Sequence, residues 1–300
     1  MRDRLSKLLS EIRTLTLGAQ ILLGFQYQAI FHSGFETLPA YAKALEVIAF
    51  ALMLAVFACL VAPSSFHRLS EAGNATRRQH AYTQTMLEVA LLGFALGIGA
   101  NVVLVTTVKL GTAGAVLLGA AVFTIAILFW FGVTLMQRTR NRPSRSSLKD
   151  EAVPLKERIS ELLTEARIVL PGAQALLGFQ FAAYLTEGFT KLPPASQTVH
   201  TISLLLIALA MILLMSPAPY HRIAEGGENT AHFDKVAVRF ILAAMVPLAF
   251  GLAGDFYIVL EKVLESPPLA ATGAVITVVG ALLLWFAVPL WWRRPHAETA

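Results

Sequence analysis

GAQILLGFQ at residues 18–26 returns as GAQALLGFQ at residues 172–180, a shift of 154. Working outward at that shift, residues 4–101 align with residues 158–255 without a gap, and 31 of the 98 positions are identical. PSSFHRLSEAGNAT at residues 63–76 pairs with PAPYHRIAEGGENT at residues 217–230. After one inserted residue FWFGVTLMQR pairs with LWFAVPLWWRR. The chain is therefore read as a duplication: residues 1–137 form one unit, 138–154 a basic linker and 155–300 the second unit.

Composition fixes the class. Hydrophobic residues make up 56% of the 300 and charged residues 14%, with mean hydropathy +0.64, whereas soluble domains hold about 25% charged residues. Eight mostly apolar runs are long enough to span a bilayer core of about 30 Å. Four lie near residues 14–32, 42–62, 83–107 and 112–136, and four near 168–186, 198–216, 236–260 and 269–292. The expected fold is an all-α polytopic membrane protein of two four-helix repeats. An even number of spans per unit makes the repeats parallel, related by a pseudo-twofold axis along the membrane normal. Leu5, Leu8, Leu9 and Ile12, and again Ile159, Leu162, Leu163 and Ala166, follow helical spacing and predict amphipathic interfacial helices before the first span of each unit. Residues 1–12 are read as retained, because glutamines break the first apolar run and no cleavage pattern follows.

Charge placement predicts orientation. With the N terminus cytoplasmic, twenty of the 24 Lys and Arg fall on inner segments, and only Lys43, Lys109, Lys191 and Lys262 on outer ones. Both termini are thus expected on the cytoplasmic side of a bacterial inner membrane. The net charge of +5 favours anionic lipid headgroups as partners, and nucleic acid is not expected. The single Cys59 excludes a disulfide framework or a thiolate metal site within one chain.

Ionisable and amide side chains at membrane depth carry the functional expectation, because each is costly there. Glu46 lies about 6 Å along its span from the outer end, and the repeat puts His200 at the equivalent position. Asn101 and its equivalent Asp255 sit at a similar outer level, as do Gln26 and Gln180. The sharper reading is a hydrated vestibule lined by these six, with Asp255 as the proton or cation carrier, since a desolvated carboxylate favours taking up one or the other. The plainer reading is that they hydrogen-bond across helices and specify packing. Gly93, Gly97 and Asn101 share one helix face that admits a close neighbour, and Gln20 with Gly24, and Gln174 with Gly178, form a similar small-polar face.

A second shared cluster lies at the cytoplasmic ends: His67, Arg68, Glu11 and Arg13 match His221, Arg222, Glu165 and Arg167. It reads as an ion network at headgroup level, or as a gate or pH sensor centred on the two histidines.

The order E-x-R, G-x-Q, L, then P-x-x-x-H-R resembles an uncharacterised family of small four-span bacterial membrane proteins, filed as a domain of unknown function. Its residues here are Glu11, Arg13, Gly18, Gln20, Leu22, Pro63, His67 and Arg68, then Glu165, Arg167, Gly172, Gln174, Leu176, Pro217, His221 and Arg222. The resemblance implies a fused tandem version of a unit usually found singly, hence a pseudo-dimer within one chain. Some family members carry the label sodium/proton antiporter.

No H-E-x-x-H, G-x-S-x-G or phosphate loop is present, and the histidines lack ligand spacing. No enzymatic activity, cofactor or metal is expected. Ion- or proton-coupled transport is the leading expectation, and a structural or lipid-interacting membrane protein is the alternative.

Overall fold

No proline interrupts residues 2–29, and in the computed structural model they form one helix, α1 (Arg2–Ala29). The structure describes residues 2–71, 73–74, 76–132 and 154–293; all its regular elements are helical, and no strand occurs among the described residues. The linker, apart from Pro154, lies outside them. The amphipathic stretch expected as a separate interfacial helix is the continuous first part of α1, because nothing between Ile12 and Leu17 breaks the backbone ladder. The second unit repeats this in α5 (Leu155–Tyr184), with Pro171 inside the helix instead of opening it.

After α1 come the short α2 (Ser33–Glu36), α3 (Ala40–Leu69) and α4 (Arg77–Ile127). After α5 come α6 (Glu187–Thr190), α7 (Pro194–Met215), α8 (Pro217–Ile223), α9 (Ala231–Leu264) and α10 (Pro267–Leu282), which continues through a π-helical stretch to α11 (Val288–Trp291). Pro63 is carried inside α3, whereas its equivalent Pro217 starts a new helix.

The shared stretch at residues 63–76 and 217–230 has a structural use. Gly73 (φ 80°) and Gly227 (φ 84°) take the left-handed conformation, which glycine adopts without steric cost. Their amides donate to the carbonyls of His67 (3.0 Å) and His221 (2.9 Å), closing the preceding helix. Thr76 and Thr230 then cap the next one, accepting from the Gln79 and Phe233 amides at 3.0 Å. The P-x-x-x-H-R…G…T pattern is thus a helix stop followed by a helix start.

Within α4, Gly111 has φ 67° and ψ 174°. A Cβ on Gly99 would lie 3.1 Å from the Gly119 carbonyl oxygen, although twenty residues of straight helix would separate them by about 30 Å. The chain therefore doubles back at Gly111 into a hairpin, followed by the π-helical Leu128–Gly132.

Six helices among the described residues are long and apolar enough to cross a membrane, with the α4 hairpin counted as one of them. Small residues set how they pack. A Cβ on Gly93 or Gly97 of α4 would fall 2.6 Å and 2.7 Å from Val56 and Met53 of α3; in the other half Gly251 of α9 abuts Ile207 of α7 in the same way, at 2.6 Å. Helices α1 and α5 meet directly: Gln20 against Gly172, Gly24 against Phe179, and the Phe31 carbonyl against Gly188 beyond the end of α5. Both members of these pairs rise together in number, so the two helices run in the same direction. The last helix returns to the first half, where Trp285 Nε1 donates to the Ala58 carbonyl at 2.9 Å.

Candidate functional site

The second half places Gln180 on α5, His200 on α7 and Asp255 on α9, and the first half supplies Tyr27 from α1; all four are fully buried. Gln180 Nε2 donates to Asp255 Oδ1 at 2.7 Å. His200 lies 3.1 Å through Nε2 from the Gln180 backbone carbonyl and 2.5 Å through Nδ1 from the Tyr27 hydroxyl. A carbonyl only accepts, so Nε2 carries a proton, and in the neutral imidazole Nδ1 then accepts from the Tyr27 hydroxyl. The imidazole is enclosed by the rings of Tyr27, Phe31, Tyr184 and Phe189, with centroids 4.9 to 6.4 Å away. Close approach of α7 to α9 depends on small residues, since a Cβ on Gly254 would collide with Ser203 Oγ.

Asp255 Oδ2 and Gln180 Oε1 have no hydrogen-bond partner among the described residues. One carboxylate oxygen is thus held by the amide, and no donor among the described residues reaches the other. An unpaired charge in such a place is strongly disfavoured, so the carboxyl needs a proton, a cation or water at Oδ2.

The first half differs. Gln26 and Glu46 are buried, and no hydrogen-bond partner among the described residues reaches either side chain. Asn101, half-buried, turns Nδ2 back to the Gly97 carbonyl of its own helix at 2.7 Å. Of the six residues expected at this level, hydrogen bonds join Gln180, His200 and Asp255. Tyr27 was not legible as a partner, because its repeat equivalent is Phe181 and a search for shared polar positions passes over it.

At the opposite end the organising side chain is Arg78. It pairs with Glu71 at 3.2 Å, donates to Ser70 Oγ at 2.7 Å and to the Trp292 carbonyl, and lies over the rings of Phe66 and Trp292. His67 and Arg68 sit half-buried in the last turn of α3. His221 packs on Phe233 at 4.6 Å, and Arg222 is exposed. Glu11 is exposed, while Arg13 borders a small apolar cavity of about 60 Å³ between α1, α3 and α9. The side chains of Glu165 and Arg167 lie outside the described residues. No cluster of three or more His, Cys, Asp or Glu side chains that could hold a metal occurs among the described residues.

Six long apolar helices among the described residues are compatible with a multi-pass helical membrane protein. The chain belongs to a family of unknown function, DUF6328, whose model matches it twice, over residues 2–134 and 151–289. No curated protein and no solved structure matches it.

Proposed function

We propose that the protein carries protons or another small cation across the bacterial inner membrane, with Asp255 as the group that binds and releases the ion. The supporting observation is the half-satisfied buried carboxyl: Oδ1 clamped by Gln180, Oδ2 unpartnered among the described residues. Gln180 does not relay a proton, because an amide neither gives up nor accepts one readily. Its task is to orient the carboxyl. His200 and Tyr27 are positioning residues: His200 holds the Gln180 backbone carbonyl, and Tyr27, from the other half of the molecule, holds the imidazole. Glu46 and Gln26 form the counterpart in the first half.

In this reading the chain crosses the bilayer eight times, counting both arms of the α4 hairpin and α5. Its two four-helix units lie the same way up, with both termini cytoplasmic. Supporting the two units lying the same way up, Lys43 from one and Lys191 and Lys262 from the other converge on Glu36. The cytoplasmic face, with Arg78 and its neighbours, contacts anionic headgroups.

The test is proton and sodium flux in proteoliposomes under imposed gradients. Asp255→Asn is expected to reduce flux at least tenfold and Glu46→Gln by less. Unchanged flux in both variants removes these residues from transport. No flux under any gradient favours the second reading, a structural or lipid-interacting protein, which gains support from residues 63–76 and 217–230 serving helix termination.

A further inference from the structure

A cavity of about 340 Å³ lies between α3, α9 and α10, bounded by Leu54, Ala58, Leu252, Phe256, Gly280 and Trp285. It exists because the facing helices present small residues there: Ala51, Ala55 and Ala58 on one side, Gly280 and Ala281 on the other. A Cβ built on Gly280 meets nothing within 4 Å. The volume is at the low end of ligand pockets, which begin near roughly 300 Å³.

Its chemistry selects the occupant. The lining carries two weakly polar side chains, Thr277 and Cys59, and the Thr277 hydroxyl already donates to the Gly273 carbonyl at 2.9 Å. Water in a cavity needs two to four polar partners, so this one excludes it. The mouth is marked by lining residues that are also exposed, Ala55, Ile276 and Gly280. Residues 51–59 lie roughly 17 to 29 Å along α3 from Ala40 at 1.5 Å per residue, within the hydrocarbon depth of a helix that crosses the membrane. At that depth the medium outside the mouth is acyl chain.

We propose that this cavity is a binding site for one acyl chain of a bilayer phospholipid, entering past Ala55 and Ile276 and ending against Trp285 and Phe256. The bound chain packs on the wall of the polar chain: Phe256 follows Asp255 in sequence and stacks on Phe50 at 5.9 Å, and Phe50 lies 6.4 Å from Tyr27. The inference does not depend on transport.

Brominated acyl chains quench tryptophan on contact. In a variant whose only tryptophan is Trp285, with phenylalanine at 130, 291 and 292, quenching in nanodiscs containing dibromostearoyl phosphatidylcholine is expected to be half-complete well below an equal mixture. Trp285 is 1% exposed, so lipid merely surrounding the protein reaches it poorly. Gly280→Leu, which puts a bulky side chain at the rim and obstructs the mouth, should abolish that preferential quenching. In the chain with all four tryptophans, mass spectrometry after mild detergent extraction should find one retained phospholipid, lost in Gly280→Leu. Quenching that is absent, or that tracks the lipid ratio equally with and without Gly280→Leu, overturns the proposal. So does equal phospholipid retention, or retention of free fatty acid in its place.

Discussion

Phe25 and Phe179, equivalent positions 154 residues apart, meet with ring centroids 4.6 Å from each other. Contact between equivalent residues is what a twofold relation produces near its axis, and α1 and α5 run in the same direction there. Cysteines at both positions in a Cys59→Ser background are expected to be joined by a short bifunctional thiol reagent. After proteolysis within residues 138–154, the two halves should then migrate together on a denaturing gel. Halves that separate would place α1 and α5 apart.

Equivalent glycines should respond unequally. A Cβ on Gly188 would fall 2.3 Å from the Phe31 carbonyl oxygen, whereas one on Gly34 meets nothing within 4 Å. Gly188→Ala is expected to cost about 1–3 kcal/mol, as overpacking does. Gly34→Ala should be close to neutral. Thermal unfolding of the two variants in detergent checks this, and similar losses in both would contradict the contact.

Arg78 ties the end of α3 to the end of the last helix through Glu71, Ser70 and the Trp292 carbonyl. Arg78→Ala is expected to lower stability by about 2 kcal/mol, the scale of hydrogen bonds to a charged group. Arg78→Lys should recover only part of it, since an ammonium lacks the planar fork and stacks less well on Phe66 and Trp292. Full recovery by lysine would reduce the arrangement to simple charge pairing.

At the opposite end, the hydrogen bond and positive charge of Lys262, helped by Lys191, hold the Glu36 carboxyl below its ordinary range. A depressed carboxylate stabilises above its unfolded value, near 4.5, and the contribution fades as pH falls through the lower folded value. The difference in unfolding temperature between the native chain and Glu36→Gln should therefore be small but present at neutral pH, and vanish in acid. High salt should also shrink it, because both Glu36 and Lys191 are substantially exposed. A difference that grows in acid would reverse the sign of the argument.

Duplication and apolar span length were legible because they are carried by many residues at once, and one substitution does not erase them. That Gln180, His200 and Asp255 come together could be approached from sequence because helical rise converts sequence position into distance along a helix. What sequence could not give was asymmetry between the halves. Tyr27 bonds His200 while Phe181 has no hydroxyl to offer Glu46, and Asn101 turns to its own helix where Asp255 turns to Gln180. In sequence Arg78 is one of many inner-side charges; its repeat equivalent is His232, which faces Tyr220 at 3.2 Å. The continuity of α1 through Ile12 follows from backbone hydrogen bonding, which amphipathic spacing alone does not report.

Asp255 is the residue on which the functional account rests, and its protonation is directly observable. Infrared difference spectra of the reconstituted protein between acidic and alkaline pH should contain a carboxylic acid carbonyl band that shifts on ¹³C-aspartate labelling, changes frequency in Gln180→Leu and is missing in Asp255→Asn. Spectra without such a band, or with one that survives in Asp255→Asn, would contradict the assignment of Asp255 as the ion-binding group.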